Sequence, residues 1–530
     1  MLSIHRIVRL LPAMAVLLFA GGAAAQSFRV QCPTSTQMHQ LINGPNGPQP
    51  NPSIKCQQIS GGDGFATMGD GTQTYLFGFG PLSGLSDIYN ALPGTQPSAV
   101  FNLTLQNSAP ALYTSFLSGS GPSSLIGAPY AGFTYNGAIG LVPDPESDPT
   151  PGQVTGHVDP RMIMDVGVMN ANQPAPLFAI DEDDEFFLTL TNVGQIMRPD
   201  LFEQHTVHFH GYPNASSFYD GVPDASIAIN IGGSFTYYYL APEAGTYFWH
   251  CHISPPEHLQ MGMVGQIYVR PRQNRVNGDL REALRTANIA NARPAGGTWT
   301  GETCNDILCS GQTPLPLTSA TNDGTRKYAY NDGDGSTAYD VEYPLQMMGF
   351  DPNFHFVGMT FNPESFTDMK DKFFMLNGRS YPDTISQGAM QTQSTDGTLH
   401  SSQPLPSIIN IPAGGRALLR ISDLSVTEHS TLASLGIPMK VIAINARLLR
   451  DSAGNDMSYY TNSITLGGGE SLDVILDATG YSAGQKFYLY TPNLDHLSND
   501  AENFGGMMTE VNICTSFDPT TKVWTGCPSI

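Results

Sequence analysis

The chain has 530 residues, 40% of them hydrophobic and 13% charged, with 55 Gly and 40 Pro spread along it without a collagen-like period. Low charge density with steady Gly/Pro punctuation argues against disorder and for many short strands joined by turns, on a chain long enough for several buried cores. Lys and Arg total 24 against 46 Asp and Glu, a formal charge of −22, which repels nucleic acid and anionic lipid and excludes nucleic-acid binding.

Residues 1–25 read as a secretory signal peptide: Arg6 and Arg9 are its positive end, Leu10 to Ala20 is apolar, and Ala23-Ala24-Ala25 offers a cleavage site before Gln26. The apolar stretch is short for a bilayer span and no later one reaches ~18 residues, so an exported protein without a membrane span, periplasmic or extracellular, is expected. Export permits disulfides. Six of the seven cysteines fall into local pairs, Cys32 with Cys56, Cys304 with Cys309 and Cys514 with Cys527, although six cysteines allow 15 connectivities. Cys251 is left over between two histidines, where a metal is the obvious partner.

Residues 26–160 are rich in Gly, Ser and Pro and read as an irregular extension partly packed on the first strand-rich block, with a loop or linker at 143–151. That block spans residues 161–272: Asp181 to Glu185 is an acidic, solvated turn leading into a strand from Glu185 to Thr191, and alternation recurs at Ser234 to Tyr239 and Gly265 to Val269. A linker occupies 273–335, with a short helix from Gly278 to Thr286, and a second strand-rich block fills 336–530. The blocks read as distant repeats, Met169 to Pro176 in the first corresponding to Met375 to Pro382 in the second. An all-β chain of sandwich domains is the default architecture.

Two clusters carry chemistry: His205-Thr-Val-His208-Phe-His210-Gly211, and Gly245 to Met263 with His250-Cys251-His252, His258 and Met261 inside it. Alternate residues of a strand share a face, so His208 and His210 project together, as do His250 and His252, and Cys251 faces the other way. One side then offers His205, Cys251 and His258 as a trigonal set with a Met as weak axial ligand, the donor set of a blue-copper site. Met263, five residues past His258, is the preferred axial ligand and Met261 the competitor. Zinc could occupy such ligands, but the Met-bearing loop and paired histidines favour copper. The other side offers His208, His210, His250 and His252 to further copper.

These residues resemble the multicopper oxidase family of cupredoxin proteins, in a two-domain-like form with the type 1 copper motif in the first domain. Asp220-Gly-Val-Pro223, Ser234-Phe-Thr-Tyr237 and Gly245-Thr-Tyr-Phe-Trp-His250 strengthen the likeness, which covers about 161–272 and 340–516. The resemblance implies two Greek-key cupredoxin-like β-sandwich domains. It also implies type 1 copper at His205, Cys251, His258 and Met263, and a full or partial type 2/type 3 centre at His208, His210, His250 and His252. It departs from the family in two respects. Six residues separate Cys251 from His258 where the family motif usually has four, a drift toward copper nitrite reductases. The second block also keeps the framework without the ligands: His429, Leu432 and Ser434 line up with His205, His208 and His210, and Tyr490-Thr491-Pro492 with His250-Cys251-His252.

The expected function is therefore an exported oxidoreductase that takes electrons from a phenolic or metal-ion donor at a type 1 copper and passes them, through Cys251, to a second copper centre that reduces O2. A blue-copper electron-transfer protein and, behind it, a nitrite-reductase-like enzyme are the alternatives. A homotrimer would let a neighbour's His429 or His496 complete the second centre. His39, His157, His355 and His400 read as surface or hydrogen-bonded histidines.

Overall fold

The computed structural model describes residues 29–102, 141–143, 154–158, 169–195, 197–198, 203–211, 216–282, 319–322, 324–358, 365–393 and 399–529. The signal peptide, the Cys304–Cys309 pair and residues 283–286 of the expected 278–286 helix lie outside them, and Gly278–Asp279, where that helix is expected to begin, is a short strand paired with Thr321–Asn322. Strands dominate, and they build two sandwiches of two sheets each.

In the first sandwich one sheet runs Ser234–Leu240, Glu185–Gly194, Ile54–Thr67, Gln73–Pro81, and the facing sheet runs His208–Phe209, Gly245–His250, Val264–Arg270, Phe178–Asp181. The segments with the copper-type motifs thus share a layer, while half of the opposing sheet comes from the Gly-rich stretch ahead of residue 160. Between the layers Phe178, Phe186, Tyr237, Tyr239 and Trp249 are buried, and Phe178 stacks on Trp249 at 4.5 Å. Burying such rings is the main source of stability, at about 25 cal/mol per Å² of apolar surface.

The second sandwich repeats this plan. Val341–Phe350 runs parallel to Arg416–Asp423 as Ile54–Thr67 runs parallel to Glu185–Gly194, and Ile409–Pro412 runs parallel to Met508–Cys514 as Phe178–Asp181 does to Val264–Arg270. Leu345, Leu419, Leu432, Leu489 and Val511 fill its core.

A buried polar seam joins the sandwiches. Glu342 accepts from Arg270 (2.7 Å) and Arg420 (3.0 Å), both guanidinium groups lie over the Tyr268 ring, and Gln266 donates to the Arg420 carbonyl and the Ser422 hydroxyl. Asp473 accepts from Thr246 at 2.6 Å and from Tyr330.

The acidic run is a turn into a strand, as expected, but not a solvated one. Glu182, Asp184 and Glu185 are buried, because the turn is where other segments attach. Glu182 accepts the backbone N–H groups of Ala244 and Arg272, Asp183 pairs with Arg272 and Arg275, and Glu185 accepts from Thr36, His39 and Tyr238. Two of the expected disulfides are present, Cys32–Cys56 and Cys514–Cys527, while Cys251 is free and buried. No helix of the described residues is long and apolar enough to cross a membrane.

Candidate metal centres

Antiparallel pairing sets His208 opposite His250 and Phe209 opposite Trp249, so the two motif segments meet edge to edge. The strand ends at His250, and Cys251 turns into the core with its N–H held by the Met263 carbonyl at 3.1 Å. The long interval after Cys251 folds as a short helix, Pro255–Met261, rather than as an open loop. Prolines in its first turn suit a helix start, since their fixed φ fits and no amide bond is lost there. That helix turns His258 inward, and the Met263 N–H closes back on the His258 carbonyl at 2.8 Å.

The first centre is wholly buried. Ligand atoms of His205, Cys251 and His258 all lie within 4.8 Å of one another, with His258 Nδ1 3.3 Å from Cys251 Sγ and the Thr206 N–H donating to that sulfur at 3.4 Å. Both ring nitrogens of His205 are buried without a hydrogen-bond partner, a costly state that a bound metal would relieve. The fourth side is Gly61, in the facing sheet: a Cβ there would sit 2.7 Å from His205 Cδ2 and 3.4 Å from the Met263 methyl. The Met263 methyl and the His205 ring thus both face Gly61, while Met261 ends the helix, and both methionines are buried in the same core cluster.

Burial opposes the Cys251 thiolate, yet His258 beside it outweighs burial and holds the thiol below its ordinary range. For the same reason His258, although burial disfavours its charge, is pushed up to about 9. Each group thus favours the charged form of the other, and the deprotonated sulfur is the form that copper requires. His258 Nε2 points outward to Glu203 at 3.6 Å, an ionic contact too long for a hydrogen bond.

On the other side of Cys251, His208, His210 and His250 bring ligand atoms within 4.8 Å of one another. Two of the rings are fixed through their other nitrogen, His208 Nδ1 at 2.7 Å from the Asp220 carbonyl and His250 Nδ1 at 2.6 Å from the Cys251 carbonyl, while the Gly469 backbone packs against the Nδ1 edge of His210. Such outer contacts select the tautomer that presents Nε2 to a metal. His210 Nε2 and His250 Nε2 face each other at 3.0 Å, so two lone pairs meet unless a proton or a metal lies between them. Burial lowers both imidazoles, His250 to about 3, which keeps them neutral as ligands must be. His252 stands beside this trio, its ring 5.0 Å from that of His208, without joining the converging set.

The second sandwich shows what has become of the corresponding positions. Tyr490 pairs with Met508 as His250 pairs with Val264, the Thr491 N–H donates to Met507 O as Cys251 does to Met263, and Met507 closes on His496 as Met263 closes on His258. Thr491, His496 and Met507 therefore occupy the places of Cys251, His258 and Met263. Ala433, not Leu432, lies opposite Tyr490, so the sequence alignment moves by one residue and Ser430, not His429, matches His205. His496 stacks on Phe374 and pairs with Glu428 at 3.0 Å. His355, buried, uses both nitrogens on the carbonyls of Tyr75 and Gln260, and His39 is held by Glu185. The copper-type residues were all singled out in the sequence. Gly61 and Gly469 were not, for a glycine that admits a ring leaves no local signal.

Residues 153–274 match the family model described as multicopper oxidase. A curated relative, laccase abr2 of Aspergillus fumigatus, is 33% identical over 109 residues, 20% of this chain and 17% of its own length. The copper-containing nitrite reductase of Rhizobium meliloti is 32% identical over 114 residues, 21% of this chain and 27% of its own. The blue copper oxidase of Nitrosomonas europaea, a solved structure, aligns over 64% of this chain and 76% of its own with 20% identity and a TM-score of 0.41. Within the first sandwich, residues 153–274 thus match a multicopper oxidase domain. The chain spans less than a third of the length of the two curated relatives, and its strands Ile54–Thr67 and Gln73–Pro81 lie outside the family match.

Proposed function

We propose that this protein is an exported copper-dependent oxidoreductase of the multicopper oxidase type, which takes single electrons from a phenolic or metal-ion donor and delivers them to O2. One observation carries the reading: Cys251 sits between two metal-ready sets, its sulfur in the first and its carbonyl bonded to an imidazole of the second. His205, Cys251 and His258 would hold a type 1 copper with Met263 as axial thioether, and His208, His210, His250 and His252 a type 2/type 3 centre. Bound copper supplies reversible one-electron chemistry at the first set and oxygen reduction at the second.

The chain's own residues do the rest. Burial of the first set excludes water, Cys251 and the His250 ring form a short covalent and hydrogen-bonded path, and neutral imidazoles keep their lone pairs free. Glu203 outside His258, together with the −22 charge, suits a cationic donor. The disulfides and the N-terminal sequence support export.

Copper content with visible and EPR spectra, combined with oxygen uptake on phenols and ferrous ion, tests the proposal. More than one copper per chain with uptake supports it, and one copper without uptake refutes it. A second reading is a blue-copper electron carrier with at most a partial second site or, behind it, a nitrite-reducing enzyme with a single type 2 copper. The convergence of three imidazoles, with His252 set aside, favours it. Nitric oxide from reduced protein and nitrite would select the nitrite form.

A further inference from the structure

Two of the three converging imidazoles are oriented by carbonyls of their own sandwich, Asp220 O and Cys251 O. The third, His210, reaches across to the second sandwich, where residues 467–470 turn between the strands Ser463–Leu466 and Ser471–Asp477. Three consecutive glycines stand in this turn, each against a different neighbour. A Cβ on Gly467 would meet His429 Nε2 at 3.2 Å, one on Gly468 would meet the Ser425 carbonyl at 2.2 Å, and one on Gly469, whose φ is +89°, would meet His210 Nδ1 at 2.6 Å. The turn is braced from behind: the Gly469 N–H donates to Asp423 O at 2.9 Å, the Asp423 N–H to Glu470 O at 3.1 Å, and the Gly467 N–H to Glu470 Oε2 at 2.8 Å.

We propose that this turn is the positioning element of the histidine set, with the Gly469 carbonyl holding His210 as its Nδ1–H tautomer so that Nε2 is presented to the metal. Nε2 already faces His250, and Nδ1 is the ring atom nearest the missing Cβ of Gly469, so Nδ1 is the nitrogen within reach of the Gly469 backbone. Among the described residues no histidine of the second sandwich joins the converging set, whereas this turn reaches it. The geometry of the set then depends on the docking of two sandwiches of one chain, and a neighbouring subunit is not needed to order His210. The inference rests on the histidine set binding metal, as the proposed function has it.

The test compares Gly469→Ala with Gly468→Ala in the full chain loaded with Cu(II). Gly469→Ala is expected to retain the cysteine-to-copper absorption band while the second centre changes its EPR hyperfine pattern and loses its metal to chelator ~10–100-fold more readily. Gly468→Ala strikes only the Ser425 carbonyl, so it is expected to lower the melting temperature and leave the EPR pattern as in the parent. Equal effects of the two variants on the second centre, or none from Gly469→Ala, would overturn the inference. Should Gly469→Ala not fold, the parent protein decides: with [15N]histidine and reduced, diamagnetic copper, His210 is expected to carry its proton on Nδ1. A proton on Nε2 overturns the proposal. Absence of oxygen uptake in the parent would sink the proposed function and leave this tautomer result standing.

Discussion

Gly61→Ala places the smallest possible side chain against the first centre from the opposite sheet. Its Cβ would lie 2.7 Å from His205 Cδ2, where ordinary contact begins at 3.4 Å, so the ring or the strand must give by about 0.7 Å. His205 has no room to do so: it is fully buried, and its backbone is bridged to Ile229 through bonds of 3.1 and 2.9 Å. Overpacking of this kind costs about 1–3 kcal/mol. At roughly 2–4 °C per kcal/mol for a domain of this order of size, a fall of several degrees in melting temperature is expected. Since the Met263 methyl would stand at 3.4 Å, an ordinary contact, the displaced ligand is the imidazole and not the thioether. The visible band and the reduction potential of the copper-loaded variant should therefore shift, read by absorption spectroscopy and redox titration beside a thermal melt. A variant with the parent's melting temperature, spectrum and potential would refute the reasoning, and with it the place of His205 in the first centre.

The same geometry sets other outcomes. Cys251→Ser should abolish the intense cysteine-to-copper absorption, whereas His208→Ala should keep it and weaken the second EPR signal; a blue Cys251→Ser protein would remove Cys251 from the first set. Removing copper with a chelator should lower the melting temperature, because His205 is left with both nitrogens unpartnered, and an unchanged melt would contradict this. Glu342→Gln removes the carboxylate shared by Arg270 and Arg420, leaving Arg420 only the longer contact to Asp473 at 3.9 Å, and should cost roughly 3–5 kcal/mol, read by denaturant unfolding. Burial alone would raise the Glu342 carboxyl, but Arg270 and Arg420 outweigh it and hold it at about 2 against an ordinary 4.5. A depressed carboxyl stabilises the fold above its ordinary value, so this contribution should be intact above pH ~4.5 and lost as pH falls toward 2. In Glu342→Gln that part of the acid sensitivity should be missing.

The copper-type residues were legible because neighbouring residues at a strand end face opposite ways, which sends the His250 ring one way and the Cys251 sulfur the other, although the strand stops at His250 and His252 stands apart from the converging set. The strands Glu185–Gly194, Ser234–Leu240 and Val264–Arg270 were legible for the same reason, alternation between two layers. Ile54–Thr67 and Gln73–Pro81 were not, because their glycines imitate turns. Gly61 makes room for His205, Gly64 would strike the Ala171 carbonyl at 2.7 Å, and Gly80 the Asn170 carbonyl at 2.4 Å, so these residues mark close approach inside strands. The acidic run misled in a related way. A charge cluster reads as solvated unless its partners are known, and here they come from Thr36, Ala244 and Arg272, far off in sequence. The one-residue slip at Ser430 arose because a histidine, His429, drew the alignment to itself, whereas pairing of Ala433 with Tyr490 fixes the register.

The seam of Arg270, Glu342, Arg420 and Gln266 bears on how the protein can be taken apart. A protein engineer wishing to transplant the copper-type sandwich would cut after Arg275, stripping Arg270 of its carboxylate, Gln266 of its acceptors and Thr246 of Asp473 in one stroke. The same cut would take away the Gly469 turn that packs against His210. The excised piece would keep every residue of the sequence motifs and lose part of what arranges them. The smallest portable unit is both sandwiches together.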